Sequence, residues 1–165
     1  MRVLATGDTH VPDWYGSLPR KLLDEAKKSD TILLTGDIVG NEVIETLNKY
    51  APVEAVQGNF CHPEIKQKLP VSKVLTLEGW RIGLTHGHLG EGVNSDEMSL
   101  SLFKVDQVDA VVHGHTHHHH KTFLNDVLII DPGSPLDTRF TRTNSYAIIT
   151  LGDQIKTEFV VLNGQ

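Results

Sequence analysis

Apolar positions along this chain fall into short blocks whose period changes at almost every turn signal. Arg2–Thr6 and Thr31–Thr35 are brief apolar runs that close on Thr-Gly-Asp, the pattern of buried strands. Between them Leu18, Leu22, Leu23 and Ala26 share one helical face, which predicts a helix ending near Ser29. Asn41 is placed to cap a second helix that carries Val43, Ile44 and Leu47 and is stopped by Pro52. Val53–Val56 returns as a strand and ends at Gly58-Asn59. Strand, helix, strand, helix, strand in succession predicts a parallel sheet with crossover helices.

The second half has another rhythm. Val74–Leu77 and Arg81–Thr85 flank Glu78-Gly79-Trp80 as a hairpin, and a short helix from Ser95 presents Met98, Leu102 and Val105. Ala110–His113 reads as a strand. Two further hairpins follow, Thr122–Leu124 with Val127–Ile130 around Asn125-Asp126, and Tyr146–Leu151 with Ile155–Val161 around Gly152-Asp153. A parallel half followed by an antiparallel half predicts an α/β fold, two packed mixed sheets with helices outside, in a single domain over 1–165.

Composition narrows the function classes. Fifteen Lys and Arg against 21 Asp and Glu give a net charge of −6, which argues against extended nucleic-acid binding, although a strand end could still enter a cleft. The first residues run directly into a strand pattern, and no apolar stretch approaches the ~20 residues of a membrane span. The one cysteine, Cys61, leaves no internal disulfide and no cysteine-based zinc cluster. A cytoplasmic protein without membrane contact is expected. The oligomeric state has no readable signature.

The ten histidines are not scattered. Gly7-Asp8-Thr9-His10, Gly58-Asn59-Phe60-Cys61-His62, Thr85-His86-Gly87-His88 and His113-Gly114-His115-Thr116-His117 begin the four segments that hold them, and Gly36-Asp37 ends a strand in the same way. In open α/β sheets, ligands bind beyond the carboxyl ends of strands, where Asp8, His10, Asp37, Asn59, His86, His115 and His117 all fall by this reading. Asp8 and His10 are two apart, as are His115 and His117, so on extended backbone each pair points to one side. Imidazoles and carboxylates gathered in this way suit first-row metal ions, and two such pairs with a carboxylate between suit two ions.

The ordered series Asp-x-His, Gly-Asp, Gly-Asn, His-Gly-His and Gly-His-Thr-His resembles the calcineurin-like metallophosphoesterase superfamily. The short chain and the Gly-Asp-Thr-His opening are similar to its small YfcE-like phosphodiesterases, and the similarity runs from Asp8 to Asp131-Pro132-Gly133-Ser134. Single motifs of this kind are common; five in the right order are not. The resemblance implies a four-layer αββα sandwich. It implies one metal on Asp8, His10 and His117, another on Asn59, His86 and His115, and Asp37 bridging. Two divalent transition ions, manganese first with nickel, iron, cobalt or zinc as alternatives, would then hold a bridging hydroxide for in-line attack on phosphorus.

Departures from the family pattern bear on the substrate. Phosphatase branches carry a histidine after the Gly-Asn motif that protonates the leaving group, and here Phe60 stands in its place. Small relatives commonly have Asp two residues after the Asn, where this chain has Cys61. His62 or His88 could supply the proton instead. A weak acid favours esters with good leaving groups. The expected activity is therefore hydrolysis of a small-molecule phosphate ester, diester before monoester. A metal-binding scaffold is the alternative, since the superfamily has such a branch, exemplified by a small retromer subunit. That branch has replaced its metal ligands, whereas every ligand position is kept here. A metallohydrolase with a non-phosphate substrate ranks lowest, because the His-x-His-x-Asp-His run is absent.

Other residues have plainer explanations. His113 reads as a satisfied strand histidine, with a supporting role behind the ligands if the segment stays extended. His118, His119 and His120 read as a solvated loop that picks up stray transition metal, or that contacts substrate phosphate when protonated. Cys61 reads as a small neighbour of the site, Arg139 and Arg142 as ordinary loop residues, and Trp14 and Trp80 as packing anchors.

Overall fold

The computed structural model describes residues 1–163; residues 164 and 165, the end of the expected domain, lie outside the described residues. In chain order the elements are β1 (Arg2–Thr6), α1 (Arg20–Ala26), β2 (Thr31–Leu34), α2 (Asn41–Leu47), β3 (Val53–Ala55), α3 (Pro63–Lys68) and β4 (Ser72–Leu77). They continue with β5 (Trp80–Thr85), α4 (Ser95–Ser101), β6 (Ala110–Val112), β7 (His120–Leu124), β8 (Val127–Asp131), β9 (Asn144–Leu151) and β10 (Ile155–Asn163). The strands form two five-stranded sheets, ordered β10-β9-β1-β2-β3 and β4-β5-β6-β8-β7. In the first sheet β1, β2 and β3 run parallel, with Val3 opposite Thr31 and Ile32 opposite Val53, and β9 and β10 join antiparallel. In the second sheet β5, β6 and β8 are parallel and β4 and β7 are antiparallel edges.

Period-two alternation explains the layering. Val3, Ala5, Leu33, Ala147 and Ile149 of the first sheet face Ile82, Leu84, Ala110, Val112, Leu128 and Ile130 of the second, a dry contact between sheets. The intervening positions Leu4, Ile32, Leu34 and Ile148 point outward onto Leu22 and Ala26 of α1, Val43 and Leu47 of α2, and Ile65 of α3. On the far face of the second sheet, Val111 and Ile129 pack with Phe103 and Leu100 at the end of α4. Helix, sheet, sheet, helix is the expected four-layer order. Each fully buried Leu or Ile contributes roughly 1.5–3 kcal/mol by leaving water.

Local details differ from the pattern reading. Gly40, not Asn41, is the N-cap of α2; Asn41 is its first helical residue and its side chain donates to Glu45. The α2 helix ends at Leu47, well before Pro52. The hairpin turn is Glu78-Gly79 alone, because Trp80 already pairs with Leu77. Val105 follows α4 and stands 93% exposed rather than on its apolar face. The α3 helix was not expected. No helix among the described residues is long and apolar enough to cross a membrane.

Candidate metal centre

The carboxyl ends of β1, β2, β3, β5 and β6 converge, and the loops leaving them carry all seven expected ligands. Asp8 and His10 follow β1, Asp37 follows β2 and Asn59 follows β3. From the second sheet, His86 follows β5, and His115 and His117 follow β6. Asp8, His10, Asp37 and His117 are buried, and one donor atom from each lies within 4.8 Å of those of the others. Close by, His86 Nε2 lies 2.9 Å from Asn59 Oδ1 and 3.5 Å from Asp37 Oδ2. The His115 ring is 5.1 Å from the His86 ring, and its backbone N–H donates to Asp8 Oδ2 at 3.0 Å. Asp37 joins the groups, its Oδ2 being 3.9 Å from His10 Nε2 while Oδ1 accepts from the Phe60 N–H.

The backbone is bent to make this possible. Eight non-glycine residues among those described have a positive φ, and five of them are Asp8, His10, Asp37, His115 and His117. The others, Glu78, Asn125 and Asp126, sit in hairpin turns. Left-handed backbone costs about 1–3 kcal/mol per residue and collects where function demands it. It also means that His113, His115 and His117 do not lie along one extended strand, so the alternation expected from spacing does not place them. Two glycines make room: a Cβ on Gly114 would meet Asp8 Oδ2 at 2.6 Å, and one on Gly36, at φ +108°, would meet the His86 ring at 2.7 Å.

Burial and neighbouring charges pull the titrating groups of this site in opposite directions. Burial pushes the His10 imidazole down to about 4, against the pull of Asp37, and burial likewise lowers His115 and His117. These rings are held neutral, with lone pairs available as ligands. Burial lowers His86 too, but the Asp8 and Asp37 carboxylates outweigh it and raise it to about 9. Burial, with Asp37 and Asp131 nearby, holds the Asp8 carboxyl well above its usual range against the pull of His86. Asp8 Oδ1 and both nitrogens of His10 are buried without a hydrogen-bond partner. Such atoms are costly unless something binds them, and divalent ions fit this donor set.

A model of the calcineurin-like phosphoesterase superfamily domain matches residues 1–154. The chain belongs to that superfamily. A probable metallophosphoesterase of Methanothermobacter thermautotrophicus is 29% identical over 161 residues, 97% of this chain and 92% of that protein. The wild-type Vps29 of Entamoeba histolytica complexed with zinc superimposes with a TM-score of 0.79 at 26% identity, over 99% of this chain and all of the other. A structure described as a novel archaeal phosphodiesterase shares the fold, with a TM-score of 0.77 at 23% identity, over 98% of this chain and 100% of that one.

Within this phosphoesterase fold the two expected proton donors part company. His88 is half-buried, 5.2 Å from the His86 ring and 6.4 Å from that of His115, and burial and the His86 charge push it down to about 4. His62 caps α3 instead, and its Nε2 lies 3.0 Å from Asp13 on the surface. Cys61 is buried, its Sγ accepts from the Gly58 N–H, and burial raises the thiol. It sits in the turn that follows β3.

Asp137 carries no motif of its own in the sequence, and Arg139, an ordinary loop residue by sequence, turns out to be its partner. Asp137 Oδ2 is 2.6 Å from His117 Nδ1, and Arg139 holds both oxygens of the same carboxylate, through Nε at 3.0 Å and Nη2 at 2.9 Å. The guanidinium lies 3.5 Å from the Trp14 ring, which stacks at 3.9 Å on His10. Trp14 is an anchor, and the ring it braces is His10. An Asp two residues before an Arg, in a polar loop after Pro132-Gly133-Ser134, was the available signal.

Proposed function

We propose that this chain is a phosphoesterase using two divalent metal ions, and that it cleaves phosphodiesters in preference to monoesters. The observation that carries this reading is the meeting of Asp8, His10, Asp37 and His117, with Asp8 Oδ1 and both His10 nitrogens buried and unpartnered. Asp8, His10 and His117 would hold one ion and Asn59, His86 and His115 the other, with Asp37 shared. Manganese is the first candidate; nickel, iron, cobalt and zinc suit the same nitrogen and oxygen donors. Bound there, such ions supply Lewis-acid activation of water and neutralise charge on the phosphoryl group.

The chain's own residues orient the ligands. The carbonyl of Thr35 fixes His86 through Nδ1 at 2.9 Å, Asp137 fixes His117, and the Phe60 N–H turns Asp37 so that Oδ2 faces the histidines. His88, beside His86 and His115, is the better placed of the two histidines to protonate the leaving group, but its ring, pushed down to about 4, would carry that proton only in acid; His62 is the weaker candidate. Phe60 and Phe140 are more than half exposed; Phe60 lies 5.6 Å from the His10 ring and Phe140 5.2 Å from that of His117. They offer an apolar rim for an aryl or nucleoside group of a small-molecule diester. The archaeal phosphodiesterase with this fold agrees with the choice. Likeness to Vps29 motivates a second reading, a metal-binding interaction module with little turnover.

The test is a panel of phosphomonoesters, cyclic nucleotides and linear diesters, run with manganese, nickel and zinc in turn. Metal-dependent hydrolysis of an activated aryl diester, lost in Asp37→Ala and Asn59→Ala, is expected. Full activity of Asp8→Ala in the presence of EDTA contradicts the proposal. Tight metal with no turnover across the panel favours the interaction module.

A further inference from the structure

A second group of metal-binding side chains lies outside the seven. Asp96 stands in the first turn of α4, His113 just beyond β6, and His120 opens β7. Asp96 Oδ1 is 3.1 Å from His113 Nε2 and 2.8 Å from His120 Nε2, and donor atoms of the three lie within 4.8 Å of one another. None of these residues belongs to the Asp8–His117 group. We propose that Asp96, His113 and His120 bind a third divalent ion, zinc by preference.

The donor count carries the inference. His113 Nδ1 is 2.9 Å from the Gly114 carbonyl oxygen, and His120 Nδ1 is 3.3 Å from that of His118. A carbonyl oxygen only accepts, so each Nδ1 has to carry the hydrogen. A neutral imidazole has one N–H, which leaves Nε2 of both rings as bare lone pairs. In that neutral form both lone pairs converge on a carboxylate oxygen; either a second proton on each ring, donated to Asp96, or a shared cation makes the contact attractive, and a divalent ion does so for all three groups at once. Ring N–H groups donated backwards to carbonyls are the usual orientation of metal-ligating histidines.

Burial and chemistry narrow the ion. The His113 side chain is fully buried, while those of Asp96 and His120 are 23% and 35% exposed, so one side of the cluster opens to water. Two imidazoles, one carboxylate and a water complete the tetrahedral set that zinc takes. Asp131 Oδ2, 3.7 Å from His113 Nδ1 and accepting from Thr116 Oγ1, stands behind the ring and not among the donors. The ion would fasten α4, which leaves the His86–His88 loop, to the strands on either side of the His115–His117 loop. Of the three consecutive histidines, His120 alone enters the cluster; His119 instead meets Ser145 Oγ at 3.0 Å.

The proposal does not depend on the phosphoesterase reading, because its readout is metal content. The full chain, Asp96→Asn and His120→Gln are each stripped with chelator, loaded with zinc, desalted and analysed for zinc per chain, with circular dichroism confirming the fold. The unaltered chain is expected to hold one equivalent more than either variant. Loading with cobalt should likewise give the unaltered chain visible absorption of a four-coordinate complex that both variants lack. Equal zinc in all three proteins overturns the proposal. Should a variant misfold, zinc-edge anomalous diffraction from the unaltered chain decides, and no peak among Asp96, His113 and His120 overturns it.

Discussion

Asp137 grips His117 from behind: its Oδ2 is 2.6 Å from Nδ1, while Nε2 of the same ring faces Asp8 Oδ1 at 3.3 Å. The contact is close but lacks hydrogen-bond alignment, and it leaves Nε2 as the nitrogen that faces the centre. Removing its charge should loosen the ring without disturbing the sheets. Asp137→Asn is expected to weaken metal binding at this centre by ~10–100-fold, the usual effect of losing a partner of a ligating histidine. Competition against a metal-sensitive chelator measures it, and an unchanged affinity removes the role.

Acid should expose the same carboxylate. Burial pushes Asp137 upward, but hydrogen bonds from Arg139 and Tyr15 outweigh it and hold the carboxyl below its usual value of 3.8. The unfolded chain therefore takes up the proton first as pH falls. The stabilisation is complete above about pH 4 and drains away below it. Urea unfolding of the metal-free protein at stepped pH should show stability falling in this range, with a flatter profile for Asp137→Asn.

Leaving-group dependence should reveal His88. If it delivers the proton, His88→Ala slows alkyl esters by ~10²–10⁴-fold at acid pH, where the ring is protonated, and leaves nitrophenyl esters nearly unaffected. The same replacement at His62, engaged with Asp13, is expected to slow both kinds of ester little. Equal losses on both classes of ester for His88→Ala would assign that ring to binding.

The contact between sheets sets stability. Leu84, fully buried there, should cost about 2–5 kcal/mol on replacement by alanine. Val105→Ala, at a site 93% exposed, should stay within ~0.5 kcal/mol. Denaturant midpoints separate the two.

Legibility in the sequence followed the range of each interaction. The β-strands and the seven residues now gathered at their ends were readable because each signal is local, a Gly-Asp or Gly-His dipeptide closing an apolar run. Asp137 was not, because its meaning comes from a contact with His117 that only the folded chain makes. His113 and His120 are separate features in the sequence, and Asp96, on another element, has no local signal that ties it to them. The α3 helix had weak local marks, Pro63 at its start, Glu64 in its first turn and Lys66 and Lys68 in its last, over six residues too few to show a period. Asn41 suits a cap by residue type, but Gly40 turns the chain and leaves Asn41 free to reach Glu45.

The seven side chains come from both halves of the molecule, four from loops of the first sheet and three from loops of the second. Ions held among them would act as rivets across the seam, so the halves could not slide apart without shedding their cargo. Loading the centre would then report itself throughout the protein: at a hundred times the dissociation constant each independent ion adds about 2.7 kcal/mol to the resistance against unfolding. A melting curve would then become an occupancy gauge for the centre.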